Sequence, residues 1–373
     1  MGTPGSRRLI PTPALVCDIG MLVQNISRMS SATATARIAL RPHVKSHKSA
    51  YVAKLQLEAG AVGLSCAKLS EAEVIVERLS AIGHEPRVSV LLTSPLAGSL
   101  SAARACALAE KCGLTVVVDH CDGVDELATA CGQTGANLSV LCDVDVGLGR
   151  TGVSGPDEAL AVVERITQSA GLHFMGVQGY GGHLQHITGR EPRMLATFES
   201  NERLRAVIDA LESSAHVVVL RTGGGTGTAI IDIELGLLNE LQCGSYVFMD
   251  REYRDALGTD PEGRFLQSLT IATTVISANQ KGFVTVDAGL KAMATDAGSP
   301  LVVGAANESH YFFFGDEHGM VTRRSDGSPN RGDLLELVPP HCDPTVDRYD
   351  FMWLVRDDAV IGITNIDARG CSQ

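Results

Sequence analysis

The sequence predicts an α/β protein, a (β/α)8 TIM-type barrel with an added antiparallel β domain, on three observations. Eight short, β-rich apolar runs recur at fairly even intervals between residues 37 and 248, with helix-like segments such as SEAEVIVERLSA and SAARACALAEKC between most of them. Several of these runs are apolar on both faces, as parallel strands covered on each side must be. Beyond about residue 255 the rhythm changes to strands joined by short turns.

In order, the barrel runs are 37–43, 61–66 (AVGLSC), 87–93 (RVSVLLT), 114–119 (LTVVVD), 138–146 (LSVLCDVDV), 173–180 (HFMGVQGY), 216–222 (HVVVLRT) and 241–248 (LQCGSYVF). Eight consecutive units favour closure into a barrel over an open doubly wound sheet. SLTIATTVISA, GFVTVDAGL, SHYFFFG, LLELVPPHC and MWLVRDDAVIGITNI then follow one another with little helix, the pattern of an antiparallel β domain. TPALVCD near the N-terminus reads as a strand of that same domain. The expected division is a barrel over residues 25–255 and a β domain built from 1–24 and 256–373. Phe312–Phe314 read as part of a buried strand, with a subunit contact as the other reading.

An apolar fraction of 45% and a charged fraction of 20% describe a folded globular chain. Net charge −12 without a basic stripe argues against nucleic acid as a partner. No apolar run reaches the roughly 20 residues needed to span a bilayer. MGTPGSRRLIPTP lacks the apolar stretch of a signal peptide. The ten cysteines form no C-x-x-C pair and sit mostly in apolar runs, the usage of reduced thiols, so a cytoplasmic setting is expected.

Barrel chemistry gathers at the C-terminal ends of the strands. Lys45 and His47 follow the first strand, Asp143, Asp145 and Arg150 the fifth, and Tyr180, His183 and His186 the sixth. Thr222, Gly223, Gly224, Gly225, Thr226 and Gly227 follow the seventh, while Gly244, Ser245 and Tyr246 are expected within the eighth. The run TGGGTGT suits a phosphate cradle, because side-chain-free backbone lets N–H groups converge on an anion. It matches neither nucleotide-loop pattern, so a nucleotide is not indicated. A phosphate seat and a lysine across one barrel mouth point to pyridoxal phosphate, whose aldehyde a lysine amine can capture. In PPHCDPTVDRYD, an extended strand would place His341 and Asp343 on one face with Cys342 opposite. One imidazole and one carboxylate can hold a divalent cation with open coordination.

RPHVKSHK, DVDVGLGRTGV, QGYGGHLQH, TGGGTGT, ELQCGSYVFMD, DAGLK, DEHG and PPHCDPTV occur in that order. Together they resemble the D-threonine aldolase and D-serine dehydratase family, the metal-assisted branch of the alanine-racemase-like (fold type III) pyridoxal phosphate enzymes. The likeness runs from about Thr12 to Gly370.

The resemblance implies roles for individual residues. Lys45 becomes the lysine that bonds the cofactor, Arg150 a contact to its ring oxygen, and Tyr180 a neighbour of its pyridine nitrogen. Gly223, Gly224, Gly225 and Thr226, with Ser245 and Tyr246, become the phosphate region, and Thr222 and Gly244 are grouped with them. His341 and Asp343 become the metal pair, with manganese expected ahead of magnesium, cobalt or zinc. His186 becomes the base for the substrate's β-hydroxyl. Arg41 and His43 are read as structural neighbours, and His47 and Lys48 as surface residues. Aldolases of the family tend to carry His-x-Asp where dehydratases carry His-x-Cys, so Asp343 implies retro-aldol cleavage of a β-hydroxy-D-amino acid, D-threonine giving glycine and acetaldehyde. Gly181 departs from the histidine often found after the tyrosine in aldolases, so either His183 covers that role or substrate preference differs. A dehydratase, a racemase and a non-catalytic pyridoxal phosphate carrier are the rivals, in that order. A homodimer is the expected assembly.

Overall fold

The computed structural model describes residues 2–84, 87–258, 265–304 and 308–373. The expected β-domain segment 256–373 therefore includes residues 259–264 and 305–307, which lie outside the described residues.

After a 3-10 turn at Ser6–Leu9 come β1 (Ala14–Asp18) and α1 (Ile19–Ala36). Asp18 caps α1 by accepting the Met21 N–H, and Arg37 ends it in the left-handed conformation. Eight parallel strands follow: β2 (Ala39–Leu40), β3 (Leu64–Cys66), β4 (Ser89–Leu92), β5 (Gly113–Val118), β6 (Leu138–Asp143), β7 (Leu172–Gly179), β8 (Leu220–Gly223) and β9 (Glu240–Leu241). Their order is β2-β9-β8-β7-β6-β5-β4-β3. A parallel bridge between His43 and Ser65 brings the two ends of that series together. The intervening helices are α2 (Ala50–Glu58), α3 (Leu69–Ala81), α4 (Ser99–Ala109), α5 (Cys121–Thr134), α6 (Pro156–Gln168), α7 (Arg190–Ser213) and α8 (Ala229–Leu235), with α9 (Arg251–Leu257) after the last strand.

Burial explains why the strands read as continuous apolar runs. Val90, Leu92, Val116, Val118, Val140 and Cys142 join the large core shared with the helices. Their alternating neighbours Leu91, Val117 and Leu141 form a separate cluster with Met175 and Leu220.

The second sheet contains β10 (Leu269–Ser277), β11 (Phe283–Val286), β12 (Leu301–Val302), β13 (Tyr311–Phe313), β14 (Gly319–Thr322), β15 (Leu334–Val338), β16 (Phe351–Arg356) and β17 (Ala359–Asn365). Its order is β13-β14-β11-β10-β1-β16-β17, with β15 beside β10 and β12. Strand β1 lies between β10, antiparallel, and β16, parallel. The TPALVCD segment thus sits centrally in this sheet.

Three sequence expectations are corrected. The eighth barrel strand stops at Leu241, and Gly244, Ser245 and Tyr246 lie beyond it, the last two in a 3-10 turn. There the Tyr246 N–H bonds the Thr226 hydroxyl instead of a neighbouring strand. Residues 342–346 are a short helix, α10 (Cys342–Val346), and not a strand. Pro339 and Pro340 keep the chain extended up to His341, but Pro344 falls in a first helical turn, where its missing N–H costs nothing. Finally, Phe312–Phe314 are not buried together. Phe312 and Phe314 are 48% and 56% exposed, while Tyr311 packs inward, as alternation along a strand requires.

Candidate active site

Lys45 owes its position to the chain that precedes it. Pro42 and the extended His43 end the strand, and a 3-10 turn over Val44–Ser46 buries Val44 and Ser46. His43 Nδ1 accepts the Lys45 N–H at 3.3 Å, capping that turn. The Lys45 side chain stays about 40% exposed and places Nζ 3.4 Å from Asp343 Oδ2. Nζ also lies 6.0 Å from the Tyr180 ring centroid, and Arg150 Cζ stands 5.5 Å from the same centroid. Asp145 accepts the N–H groups of Gly147 and Gly149, shaping the loop that delivers Arg150. His43, Lys45, Thr93, Ser94, Arg150, Tyr180 and Gln242 line a cavity of about 180 Å³.

The charges at this mouth are coupled. Asp343 raises the Lys45 pKa well above its ordinary value, against the opposing effect of burial. Burial would raise the Asp343 carboxyl, but Lys45 and His341 outweigh it and pull it to about 2. His43 is held neutral, first by burial and then by the Lys45 charge.

The glycine run is pressed closely against its neighbours. Gly224 has φ +68°, and a Cβ there would stand 2.6 Å from Asp232 Oδ2. A Cβ on Gly225 would collide with the Gln185 side chain. The Gly225 N–H bonds Thr228 Oγ1 and the Gly227 N–H bonds Gln185 Oε1, so these two donors brace the loop. Thr226 Oγ1 receives the Tyr246 N–H at 3.0 Å, joining the glycine run to the Gly244–Tyr246 segment. A Cβ on Gly244 would stand 2.9 Å from the His43 carbonyl oxygen, so this segment and the Lys45 segment meet backbone to backbone.

Thr222 and Tyr246, both grouped with the phosphate seat, turn their side chains into the packed interior. The Thr222 hydroxyl donates to Glu240 and accepts from Gln242 inside the barrel, in a network that also holds Arg41, Ser89, Gln178 and Asp143. The Tyr246 ring is buried, with its hydroxyl accepting from Gln56 and its face against Phe265. Thr222 therefore supports the run from below, and Tyr246 brings only backbone to it.

Across from Lys45, Asp343 accepts bonds from the Ser245 hydroxyl and the Cys342 thiol, each at 3.3 Å. His341 Nδ1 lies 2.7 Å from Asp296 Oδ2. Burial opposes a charge on His341, but Asp343 and Asp296 outweigh it and raise its pKa. Asp250 ties this segment to the barrel, accepting the Tyr253 N–H with one carboxylate oxygen and the Cys342 N–H with the other. Among the described residues no group of three or more His, Cys, Asp and Glu side chains is arranged to hold a metal. The donor chemistry of His341 and Asp343, one nitrogen and one oxygen, suits a divalent cation that keeps most of its coordination open.

His186 stacks edge-on against Tyr253 at 4.6 Å, with Nδ1 3.9 Å from Glu252 Oε2. Burial lowers its pKa; Glu252 opposes the shift and His341 adds to it. His183 is exposed beside Gly147 and Arg203 and does not line the cavity. His47, expected at the surface, is fully buried, its Nδ1 accepting the Ser49 N–H and its Nε2 bonded to Gln56. Lys48 pairs with Asp347 at 2.7 Å.

The sequence reading missed Gln242, Thr93 and Ser94 on the cavity wall, Gln185 behind the glycine run, and Asp296 beside His341. Gln185 stands next to His186 in the LQH motif, a signal of position if not of role. Asp296 is 45 residues from His341 and carries no local pattern.

Comparison with known proteins agrees with this architecture. The family model "Alanine racemase, N-terminal domain" matches residues 17–252, and a serine dehydratase domain model matches residues 268–355. The chain is 36% identical to a D-threonine aldolase from Arthrobacter sp., covering 100% of this chain and 96% of that one. It is 35% identical to a 3-hydroxy-D-aspartate aldolase from Paracoccus denitrificans, covering 97% and 92%. The solved D-threonine aldolase of Filomicrobium marinum superposes with a TM-score of 0.94 at 31% identity, covering 100% and 99%. With likeness running end to end and both domain models met in chain order, the chain belongs to the D-threonine aldolase and D-serine dehydratase family of alanine-racemase-like enzymes.

Proposed function

We propose that the protein is a lyase that cleaves β-hydroxy-D-amino acids by retro-aldol reaction, with pyridoxal phosphate and a divalent cation, manganese first among the candidates. D-threonine, giving glycine and acetaldehyde, is the first substrate, and D-3-hydroxyaspartate the second. The observation that carries this reading is the 3.4 Å approach of Lys45 Nζ to Asp343 Oδ2. It sets an amine and a metal-competent carboxylate within the span of one small amino acid, whose nitrogen and β-oxygen are only a few bonds apart.

Pyridoxal phosphate, when bound, supplies an aldehyde for an amine and an electron sink for the breaking Cα–Cβ bond, while a divalent cation supplies a Lewis acid for the β-hydroxyl. Lys45 is the amine. Asp343 keeps it protonated here, and bond formation needs the neutral form, so their ion pair has to open. Arg150 and Tyr180 form the wall against the ring. Gly223, Gly224, Gly225, Thr226, Gly244 and Ser245 would surround the phosphate, while the Gly225 and Tyr246 N–H groups, bonded to Thr228 and Thr226, shape the seat. His341 and Asp343 would hold the cation. His186 accepts the β-hydroxyl proton; burial lowers its pKa and keeps the imidazole neutral near pH 7, with the Glu252 carboxylate 3.9 Å from Nδ1.

The serine dehydratase domain match keeps elimination of water as the second reading, in which Lys45 removes the α-proton instead. Asp343, in place of the cysteine usual in dehydratases, weighs against it. The deciding experiment offers D-threonine, D-3-hydroxyaspartate and D-serine separately to purified protein with pyridoxal phosphate and Mn2+. Aldehyde and glycine in equal amounts, lost on adding EDTA, are expected from at least one of the first two. Pyruvate from D-serine without aldehyde from any substrate would establish the dehydratase. A homodimer and a cytoplasmic setting belong to the same reading, the first tested by sedimentation.

A further inference from the structure

We propose that Asp296 is a positioning residue for the cation site: its carboxylate takes the Nδ1–H of His341 and so leaves Nε2 as the atom that meets the metal. This deepens the proposed function and rests on His341 being a ligand.

A neutral imidazole has one N–H and one lone pair, and which nitrogen carries which is set by the partner each finds. Here the partner is Asp296 Oδ2, 2.7 Å from Nδ1. Metal-binding histidines commonly use such a carboxylate, which fixes the tautomer and the ring orientation and makes the other nitrogen a better donor. Among the described residues no other carboxylate is hydrogen-bonded to that ring. Asp343 is engaged by Ser245, Cys342 and Lys45. Asp250 is occupied by the N–H groups of Tyr253 and Cys342.

The placement of Asp296 is built by its surroundings. The Tyr349 hydroxyl donates to the Ala292 carbonyl at 2.7 Å. The Ala294 N–H donates to Thr345 Oγ1 at 3.0 Å, and that hydroxyl donates to the His341 carbonyl at 2.7 Å. Thr345 on α10 therefore holds both the backbone that carries His341 and the loop that carries Asp296. The competing account is a plain surface ion pair, since the Asp296 side chain is 55% exposed. Such a pair contributes little and would leave metal affinity untouched.

The test is titration of the pyridoxal phosphate-loaded protein with Mn2+, following the free-ion signal by electron paramagnetic resonance. D296A is expected to bind Mn2+ about 10- to 100-fold more weakly than the parent. D296N, which keeps an oxygen to accept the Nδ1–H, should recover most of that loss. Pyridoxal phosphate affinity, read from the absorbance of the lysine-bound cofactor, should be unchanged in both. H341A should lose the site altogether. D296A binding as tightly as the parent while H341A does not bind would overturn the role of Asp296 and leave the metal pair standing. H341A binding as tightly as the parent would remove the metal pair and this inference with it.

Discussion

His47 shows what a single residue contributes beyond chemistry. It lies two positions from Lys45, yet it is buried and bonded to Ser49 and Gln56, and Gln56 passes the link to the Tyr246 hydroxyl. Burial pushes its pKa down to about 4, against the hydrogen bonds from its neighbours. In the unfolded chain it titrates near 6.5, so the neutral ring stabilises the fold fully above that pH. The contribution is lost as pH falls from 6.5 through 4, and amounts to about 3 kcal/mol at most. Asn at this position can still accept the Ser49 N–H but does not titrate. Urea midpoints of the parent and His47→Asn at pH 7 and pH 4.5 should therefore converge, with the parent losing more on acidification. Parallel losses would mean that His47 does not sense this pH range.

Among elements, the glycine run and the segment carrying His186 are one unit. Gln185 Nε2 donates to the Gly181 carbonyl and to Thr228 Oγ1, while its Oε1 receives the Gly227 N–H. The Thr228 hydroxyl in turn donates to Asp232. Removing the amide leaves buried partners unmet, each costing about 1–3 kcal/mol. Gln185→Ala should therefore need roughly tenfold more pyridoxal phosphate to half-saturate, by titration of the bound-cofactor absorbance. It should also lower kcat at saturating cofactor, because the neighbouring His186 loses its backing. Unaltered cofactor affinity in a folded variant would show that the glycine run holds its shape without Gln185. Pro-His-Cys-Asp-Pro reads as extended from local rules, yet residues 342–346 are helical: Thr345 within the turn bonds the His341 carbonyl, and the remote Asp250 accepts the Cys342 N–H.

For the whole molecule, the two sheets share one continuous apolar core that runs from Leu15 to Ala368. With β1 inside the second sheet and α1 leading directly into the barrel, the halves should unfold together. Calorimetry is expected to give a single transition, and two resolved peaks would mean that the sheets are independent units. No described helix is long and apolar enough to cross a membrane. The eight strands, their parallel order and the change of rhythm near residue 255 were legible because burial on both faces forces apolar runs of a period and length that local reading detects. The placing of Lys45, Arg150, Tyr180 and the glycine run at strand ends followed from that rhythm. Spacing paired His341 and Asp343 as cation donors, and resemblance supplied the role of His186 and singled out the metal pair. What only the tertiary structure decided is which side chains are already committed: Thr222 and Tyr246 turned into packed networks, His47 buried, Asp296 brought to His341, Gln185 set beneath the glycines. Most of those contacts join residues tens or hundreds of positions apart, and hydrogen-bond partners chosen by folding leave no periodic trace along a chain.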